Sequence, residues 1–327
     1  MQPLTIQHGA IELSVVVLGE GPLIVCVHGW PELGYSWRHQ LAYFAARGYR
    51  IAAMDVRGYG KSSVPWPVEA YTMRELCSDV IAVVDALSAS AAGEPGKAIL
   101  FGHDWGAPIV WNTAVLFPER IQAVAGLSVP FVPIRSRSFL ELAAEIYRDR
   151  FFYQLYIQQE GRAEADFEAD VASALRKVYF ALSVQGSRDP NVRKIFKTKP
   201  KDEGLLIGLP DPHPFPAWLP PEDLEVFITA FSQTGFRGAF NRYRAQTLDV
   251  TQLAEIAGKP VTQPACFIGG ENDQVRAFVP GVDAYAKAGV HCRDFRGATI
   301  LPGIGHWVQQ EAPEATNEAL AEFLAGL

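Results

Sequence analysis

Residues 98–106 (AILFGHDWG) are a short apolar run that ends in a Gly-x-Asp-x-Gly pattern. A helical pattern of apolar residues begins directly after it, so the stretch predicts a strand, a tight turn and a helix. Gly102 and Gly106 let the backbone pass through a strained turn where a side chain would clash. Asp104 stands at the apex of that turn, next to the free N–H groups of a helix start, which favour an anion. We therefore expect Asp104 to be an ionised carboxylate at the edge of a sheet.

A carboxylate at this apex differs in its chemistry from a hydroxyl. A serine must lose a proton to a base before it attacks, whereas ionised Asp104 is already a nucleophile. It can displace a leaving group from saturated carbon and form an alkyl ester of the enzyme, which water must then cleave. The alternative interpretation is an ordinary turn whose Asp caps a helix. The strand before the turn and the helix after it favour the nucleophile.

Strand and helix patterns alternate through the first 130 residues. Such alternation predicts an α/β fold with a mostly parallel, doubly wound sheet. Helical patterns then prevail up to residue 249, and the alternation returns near residue 260. We therefore predict an α/β core made of residues 1–130 and 250–327, with residues 131–249 inserted as a helical cap (lid). The cap should cover the carboxyl ends of the strands, where ligands bind in such sheets.

Three local patterns make narrower predictions. Thr72 and Glu75 have the spacing of a capping box, which predicts a helix that begins directly after Thr72. Residues 278–288 are expected to form a short helix. The His-Gly-Trp-Pro turn predicts a cis peptide bond between Trp30 and Pro31.

The composition restricts the class of partner. Hydrophobic residues make up 49% of the 327 residues and charged residues 20%, which is enough for a large packed core. A net charge of −7 argues against nucleic acid or an anionic membrane surface as a partner. No apolar stretch approaches the roughly 20 residues that span a bilayer, and the N-terminal residues lack the basic-then-apolar form of a signal peptide.

The cysteines are widely separated and do not have the spacing of metal ligands. We expect all four to be buried free thiols in a reducing compartment, which indicates a cytoplasmic protein. They are Cys26, Cys77, Cys266 and Cys292.

Two residues after the predicted cap can complete a catalytic triad with Asp104. Asp273 follows a predicted strand and His306 lies in a loop, and the order nucleophile, acid, histidine is the one that accompanies this kind of elbow. A neutral His306 can take a proton from water, while Asp273 holds its tautomer and stabilises the imidazolium. Glu271 is the competing acid, and a loop histidine bonded only to backbone is the alternative for His306.

The turn at residues 28–31 follows the strand expected beside the Asp104 strand. The backbone N–H groups of Trp30 and Trp105 are candidates for an oxyanion hole, which would stabilise the intermediate formed when water attacks the ester. The alternative is a purely structural turn, and His28 is expected to be structural rather than catalytic.

An oxygen that leaves carbon as an alkoxide needs a neutral hydrogen-bond donor, and tyrosine supplies one at pH 7. The predicted cap contains several tyrosines, and their spacing does not choose among them. For any single one, aromatic packing within the cap is the alternative. The candidates are Tyr147, Tyr153, Tyr156, Tyr179 and Tyr243.

Six motifs together carry a resemblance to a known family. They are residues 28–31 (HGWP), 55–62 (DVRGYGKS), 102–106 (GHDWG), 153–156 (YQLY), 235–243 (GFRGAFNRY) and 305–307 (GHW). In these motifs the chain resembles the epoxide hydrolases of the α/β-hydrolase superfamily over nearly its full length.

The resemblance implies a role for each motif residue. Asp104 is implied as the nucleophile, Asp273 and His306 as the charge pair, and Tyr153 and Tyr243 as the donors to the epoxide oxygen. The implied reaction adds water to a hydrophobic small-molecule epoxide and gives a vicinal diol, with no metal or organic cofactor. Both a monomer and a homodimer remain open. The expected pocket residues are Trp30, Pro31, Trp105, Tyr153, Tyr243 and Trp307.

Related classes of protein are the alternatives. Haloalkane and haloacid dehalogenases use the same Asp nucleophile, but haloalkane dehalogenases typically carry Asn where Trp30 stands. Fluoroacetate dehalogenases typically place Arg where Trp105 stands. The elbow lacks the serine of an esterase, and a non-catalytic receptor on this fold is expected to have a damaged triad.

Overall fold

The computed structural model describes residues 2–88 and 96–327 of the chain. Eight strands in these residues form one sheet, in the order β1-β2-β4-β3-β5-β6-β7-β8. Strand β2 pairs antiparallel with β1 and β4, and every pair from β4 to β8 is parallel. The predicted mostly parallel sheet is therefore confirmed. The strands are β1 (Leu4–His8), β2 (Ile11–Leu18), β3 (Leu23–Val27), β4 (Arg50–Met54), β5 (Ala98–His103), β6 (Ile121–Leu127), β7 (Val261–Gly270) and β8 (Cys292–Leu301).

Helices lie between and after these strands, the first of them after β3. Those that belong to the α/β alternation are α1 (Arg38–Ala45), α2 (Met73–Ser88), α3 (Gly106–Leu116), α13 (Val308–Glu311) and α14 (Pro313–Ala325). Those between β6 and β7 are α4 (Phe139–Ile146), α5 (Tyr153–Ile157), α6 (Arg162–Glu168), α7 (Val171–Leu182), α8 (Val184–Arg188), α9 (Pro190–Thr198), α10 (Pro221–Thr234), α11 (Arg237–Arg244) and α12 (Gln246–Gln252).

The central strand β5 is buried on both faces, which explains its continuous apolar sequence. Leu100 on one face belongs to a hydrophobic cluster with Val84 of α2 and Val110 of α3. Phe101 on the other face belongs to a second cluster with Phe44 of α1 and Leu320 of α14. Helices on both faces make the sheet doubly wound, as predicted.

The turn between β5 and α3 has the strained geometry that its glycines predict. Asp104 adopts φ of 50°, which non-glycine residues rarely do. A Cβ at Gly102 would lie 2.3 Å from the Gly106 carbonyl oxygen, and one at Gly106 would lie 2.0 Å from the Val27 carbonyl oxygen. Only glycine fits at either position, so the turn and strand β3 hold Asp104 at the carboxyl end of the sheet.

Within the described residues, the segment between β6 and β7 contains helices and loops and no strand of the sheet. The division of the chain into core and cap remains a prediction. Its second boundary, at residue 249, falls inside α12 (Gln246–Gln252).

Helix α2 begins at Met73 as predicted, but a capping box is not the reason. The buried hydroxyl of Thr72 has no hydrogen-bond partner, and the Glu75 carboxylate accepts from Arg57 at 3.2 Å. The Met73 N–H instead donates to Asp249 at 2.7 Å. A residue far along the chain therefore caps this helix, a tertiary contact that local spacing does not reveal.

Two further predictions are wrong. Residues 278–288 do not form an α-helix, because Pro280 precedes Gly281, whose φ of 74° takes the backbone out of the helical region. Short 3₁₀ turns stand on either side of this break. Cys292 is partly exposed rather than buried, since it lies at the start of the edge strand β8, whereas the other three cysteines are buried free thiols.

Candidate active site

Asp104 is held from the side of strand β3. The Trp30 N–H donates to Asp104 Oδ1 at 2.8 Å, and the Trp30–Pro31 bond that follows is cis, as predicted. A Cβ at Gly29 would lie 2.4 Å from both Cβ and Oδ1 of Asp104 and 2.6 Å from the Trp105 nitrogen. The backbone of the β3 turn thus packs directly on the Asp104 carboxylate.

His306 lies between two carboxylates, in the loop between β8 and α13. Its Nε2 is 3.3 Å from Asp104 Oδ2, and its Nδ1 is 2.8 Å from Asp273 Oδ2. Glu271, the competing acid, instead accepts the Gly303 N–H at 2.9 Å. The structure therefore brings together Asp104, Asp273 and His306, the three residues that the sequence predicts as a triad.

The charges in this triad reinforce one another. Burial raises the pKa of Asp104, but the hydrogen bond and charge of His306, with the charge of His103 and the Trp30 N–H, together hold that pKa below its ordinary value. The pKa of Asp273 is also below its ordinary value: burial raises it, but His306, the Tyr285 hydroxyl and the Val275 N–H together lower it further. Burial lowers the pKa of His306, but the two carboxylates raise it well above its ordinary value. The resting triad is thus an imidazolium between two carboxylates.

The backbone of His306 is fixed by residues that sequence reasoning missed. Its carbonyl oxygen accepts from Ser128 Oγ at 2.7 Å and from His103 Nε2 at 2.8 Å. The other nitrogen of His103 is 2.6 Å from Glu32 Oε2, and both side chains are fully buried. His103 directly precedes Asp104 and Glu32 directly follows Pro31, and these two positions are the sequence signal that could have found them.

Asp273 has a second partner that sequence reasoning also missed. The Tyr285 hydroxyl donates to Asp273 Oδ2 at 2.5 Å, the oxygen that also faces His306. The Val275 N–H donates to the other oxygen at 2.9 Å. Tyr285 lies in the segment predicted as a helix, so its approach to Asp273 could not be expected from the sequence.

Of the five candidate tyrosines, the structure places three on the wall of one cavity. Tyr153 and Tyr243 line it, with ring centroids 5.6 Å apart. Tyr147 also lines it, but its hydroxyl donates to the Phe278 carbonyl at 2.6 Å.

The remaining two tyrosines use their hydroxyl groups away from the cavity. Tyr156 donates to Asp166 at 2.7 Å, and Tyr179 donates to the Pro31 carbonyl at 2.8 Å. Tyr153 and Tyr243 thus line the same cavity as Asp104, and neither hydroxyl group donates to a backbone carbonyl.

The cavity has a volume of about 660 Å³ and includes Asp104, Asp273 and His306 in its wall. Trp30 lines it as expected, with its ring 6.4 Å from that of Tyr153. Apolar residues from the segment between β6 and β7 form much of the rest of the wall. They include Phe151, Phe152, Val178, Leu182, Leu205 and Leu209.

Three expected pocket residues lie outside this wall. The Pro31 carbonyl oxygen accepts a hydrogen bond from the Tyr179 hydroxyl. The Trp105 ring packs edge-on against that of Tyr243, with ring centroids 5.3 Å apart. Trp307 is fully buried beneath the loop, where its indole N–H donates to the Tyr179 carbonyl at 2.9 Å.

His28 has a structural role, as expected. Its Nε2 accepts the Val56 N–H at 2.9 Å, and its Nδ1 lies 2.8 Å from the Gly29 carbonyl oxygen. The ring therefore connects the β3 turn to the loop after β4.

Comparison with known proteins first defines the class. A family profile described as "alpha/beta hydrolase fold" matches residues 22–211. Epoxide hydrolase A of Mycobacterium tuberculosis is 37% identical over 324 residues, which cover 98% of this chain and 97% of that protein. Epoxide hydrolase 2 of Siraitia grosvenorii is 34% identical over 325 residues, with 98% and 97% covered.

A solved structure similar to this chain is also that of an epoxide hydrolase. The epoxide hydrolase from an endophytic Streptomyces superposes with a TM-score of 0.91 at 40% identity, covering 99% of this chain and 95% of that one. The chain therefore belongs to the epoxide hydrolases of the α/β-hydrolase superfamily.

Proposed function

We propose that this enzyme adds water to an apolar small-molecule epoxide and releases a vicinal diol, by way of a covalent ester on Asp104. The observation that carries the proposal is the arrangement around that carboxylate. The Trp30 N–H binds one oxygen, His306 faces the other, and Tyr153 and Tyr243 share the same largely apolar cavity.

The first half-reaction forms the ester. Asp104 Oδ2 attacks a ring carbon from the side opposite the epoxide oxygen, and the bond between that carbon and the oxygen breaks. Tyr153 and Tyr243 donate hydrogen bonds to the oxygen as its charge develops. Burial raises the pKa of both phenols, so both stay neutral and able to donate. One phenol gives its proton to this oxygen, which becomes a hydroxyl group, and regains a proton from water. His306 releases its own proton to water once Asp104 is alkylated, so the net charge of the site does not change.

Ester formation changes His306 from an acid into a base. The alkylated Asp104 carries no charge, so one of the two carboxylates that raise the pKa of His306 is removed. Neutral His306 can then take a proton from a water molecule that attacks the ester carbon. The carbonyl oxygen, Oδ1, becomes an oxyanion that accepts from the Trp30 N–H, with the Trp105 N–H as the second donor. When the intermediate collapses, the bond from the ester carbon to the diol oxygen breaks and that oxygen takes the second proton of the attacking water. Asp104 is left as a carboxylate and His306 as an imidazolium.

The same proposal covers substrate, location and domains. The aromatic and aliphatic wall supports an apolar epoxide, and the buried free thiols support a cytoplasmic location. The helical segment between β6 and β7, which supplies Tyr153 and Tyr243, supports residues 131–249 as a cap on a core of residues 1–130 and 250–327. Within residues 2–88 and 96–327, no helix is both long and apolar enough to cross a bilayer.

A single turnover in heavy-oxygen water tests the covalent route. With enzyme in excess, the first diol should carry no label, because its new oxygen comes from Asp104, and the peptide that contains Asp104 should become labelled. Label in the first diol together with an unlabelled peptide would mean direct attack by water and would refute the proposal. Haloalkanes of matched size serve as controls, and halide release that is faster than diol formation would favour the dehalogenase alternative.

A further inference from the structure

The loop that carries His306 is attached to the helices between β6 and β7 as well as to the sheet. The His306 N–H donates to the Leu182 carbonyl oxygen at 3.0 Å. The Trp307 indole donates to the Tyr179 carbonyl at 2.9 Å. A Cβ at Gly305 would lie 2.4 Å from the Val184 nitrogen. The chain from Tyr179 to Val184, which joins α7 to α8, thus packs against the His306 loop.

One carboxylate joins these two segments. Glu311, at the end of α13, accepts the Val184 N–H at 2.9 Å from the α7–α8 junction. It also accepts the N–H groups on either side of His306, that of Gly305 at 3.3 Å and that of Trp307 at 3.1 Å. Three backbone donors therefore converge on a single side chain, and the base stands between two of them.

The reaction described above does not use Glu311. Burial raises the pKa of Glu311 to about 7, although the three backbone donors lower it. The charged form of this carboxylate is therefore disfavoured by its surroundings. Oε2 accepts the Val184 and Gly305 N–H groups and Oε1 accepts that of Trp307, so an amide in its place turns its NH₂ group toward at least one backbone N–H. A shorter, apolar or amide side chain at this position would thus loosen the loop and the α7–α8 junction together.

We propose that Glu311 is a positioning residue that ties the α7–α8 junction to the His306 loop and sets the rate of ester hydrolysis, with little effect on ester formation. The proposal rests on the covalent route proposed above. Asp104, Tyr153 and Tyr243 form the ester and stand on other segments, whereas the attack of water needs the His306 ring in place. Small displacements of a catalytic group cost large factors in rate.

The test separates the two half-reactions. Excess enzyme is mixed with an apolar epoxide, quenched at set times and weighed intact, so that the growth and decay of the alkylated protein give both rate constants. For Glu311→Gln we expect ester decay to slow about tenfold or more and ester formation to change by less than about threefold. Exposed Glu314 of α14 gives the matched control, and Glu314→Gln should leave both rates unchanged.

A second variant and a second measurement guard against a general loss of folding. Gly305→Ala inserts a methyl group 2.4 Å from the Val184 nitrogen and 2.7 Å from Glu311 Oε1, and should give the same selective slowing. Hydrogen exchange in Glu311→Gln should quicken at Val184 and not in the central strands. Equal slowing of both half-reactions, or no slowing of ester decay, would overturn the role of Glu311 while leaving the covalent route intact. Absence of any alkylated protein in the unaltered enzyme would instead refute the route itself.

Discussion

Removing one oxygen from Tyr285 should change the strength of the catalytic base without changing the shape of the site. The Tyr285 hydroxyl is buried and donates to Asp273 Oδ2 at 2.5 Å, the same oxygen that pairs with His306 Nδ1 at 2.8 Å. Tyr285→Phe keeps the ring and deletes this donor. The Asp273 carboxylate then has one donor fewer to share its charge, and so it holds the proton of His306 more strongly.

The size of the effect follows from the contacts that remain. A hydrogen bond to a charged group contributes about 1.5–3 kcal/mol, and 1.36 kcal/mol corresponds to one pKa unit. Asp273 keeps the Val275 N–H on its other oxygen, and His306 senses only part of the change. We therefore expect the pKa of His306 in the ester form of the enzyme to rise by about 0.5–1 unit.

The assay follows ester hydrolysis in single turnovers between pH 5 and pH 9. Hydrolysis needs neutral His306, so its rate rises with pH through the pKa of that residue, and in Tyr285→Phe this rise should move to higher pH. The rate at low pH should fall about three- to tenfold, while the plateau at high pH should be retained. Tyr71→Phe, which deletes a buried hydroxyl bonded to the Pro65 carbonyl, is the control.

Two outcomes would refute this reasoning. A lower plateau with an unmoved pH dependence would mean that Tyr285 only packs against Asp273. A shift of the rise to lower pH would mean that the hydroxyl does not stabilise the charge of the carboxylate.

Three further changes probe other parts of the molecule. His306→Gln should allow the ester to form and accumulate, which intact mass detects as a stable adduct; rapid loss of the adduct would contradict the role of the base. Tyr243→Phe should slow ester formation about 100-fold and leave ester decay unchanged in the same single-turnover experiment; an equal loss in both steps would contradict it. Asp249→Asn should lower the free energy of unfolding in urea by about 3 kcal/mol, because it leaves the buried guanidinium of Arg242 without its carboxylate. Thr72→Val, which removes a hydroxyl without a partner, should change it by less than about 0.5 kcal/mol.

Much of the fold was predictable because its signals are local. A buried parallel strand requires an unbroken apolar run, and a strained elbow requires glycines on either side of its apex, so β5 and the Asp104 turn could be predicted from adjacent residues. The positions of Asp273 and His306 follow from the same logic, since each lies where a strand ends.

The remaining features depend on contacts between distant segments. The choice among five tyrosines depends on where each hydroxyl points, and Tyr156 and Tyr179 are excluded only by their partners in the folded chain. The Thr72 capping box did not form because the Glu75 carboxylate accepts from Arg57 instead, and Asp249, about 180 residues away, binds the Met73 N–H. Spacing along the chain carries no information on such contacts.

The two sides of the cavity come from different stretches of the chain. Asp104, Asp273 and His306 follow the carboxyl ends of sheet strands, whereas other wall residues, such as Val178, Leu205 and Leu209, come from the segment between β6 and β7. Mutant libraries restricted to these wall positions would therefore sample new epoxides and new orientations of attack while the reacting groups stay unaltered. Natural substitutions in the segment between β6 and β7 would change the substrate preference in the same way, with the residues that react with the substrate inherited unchanged.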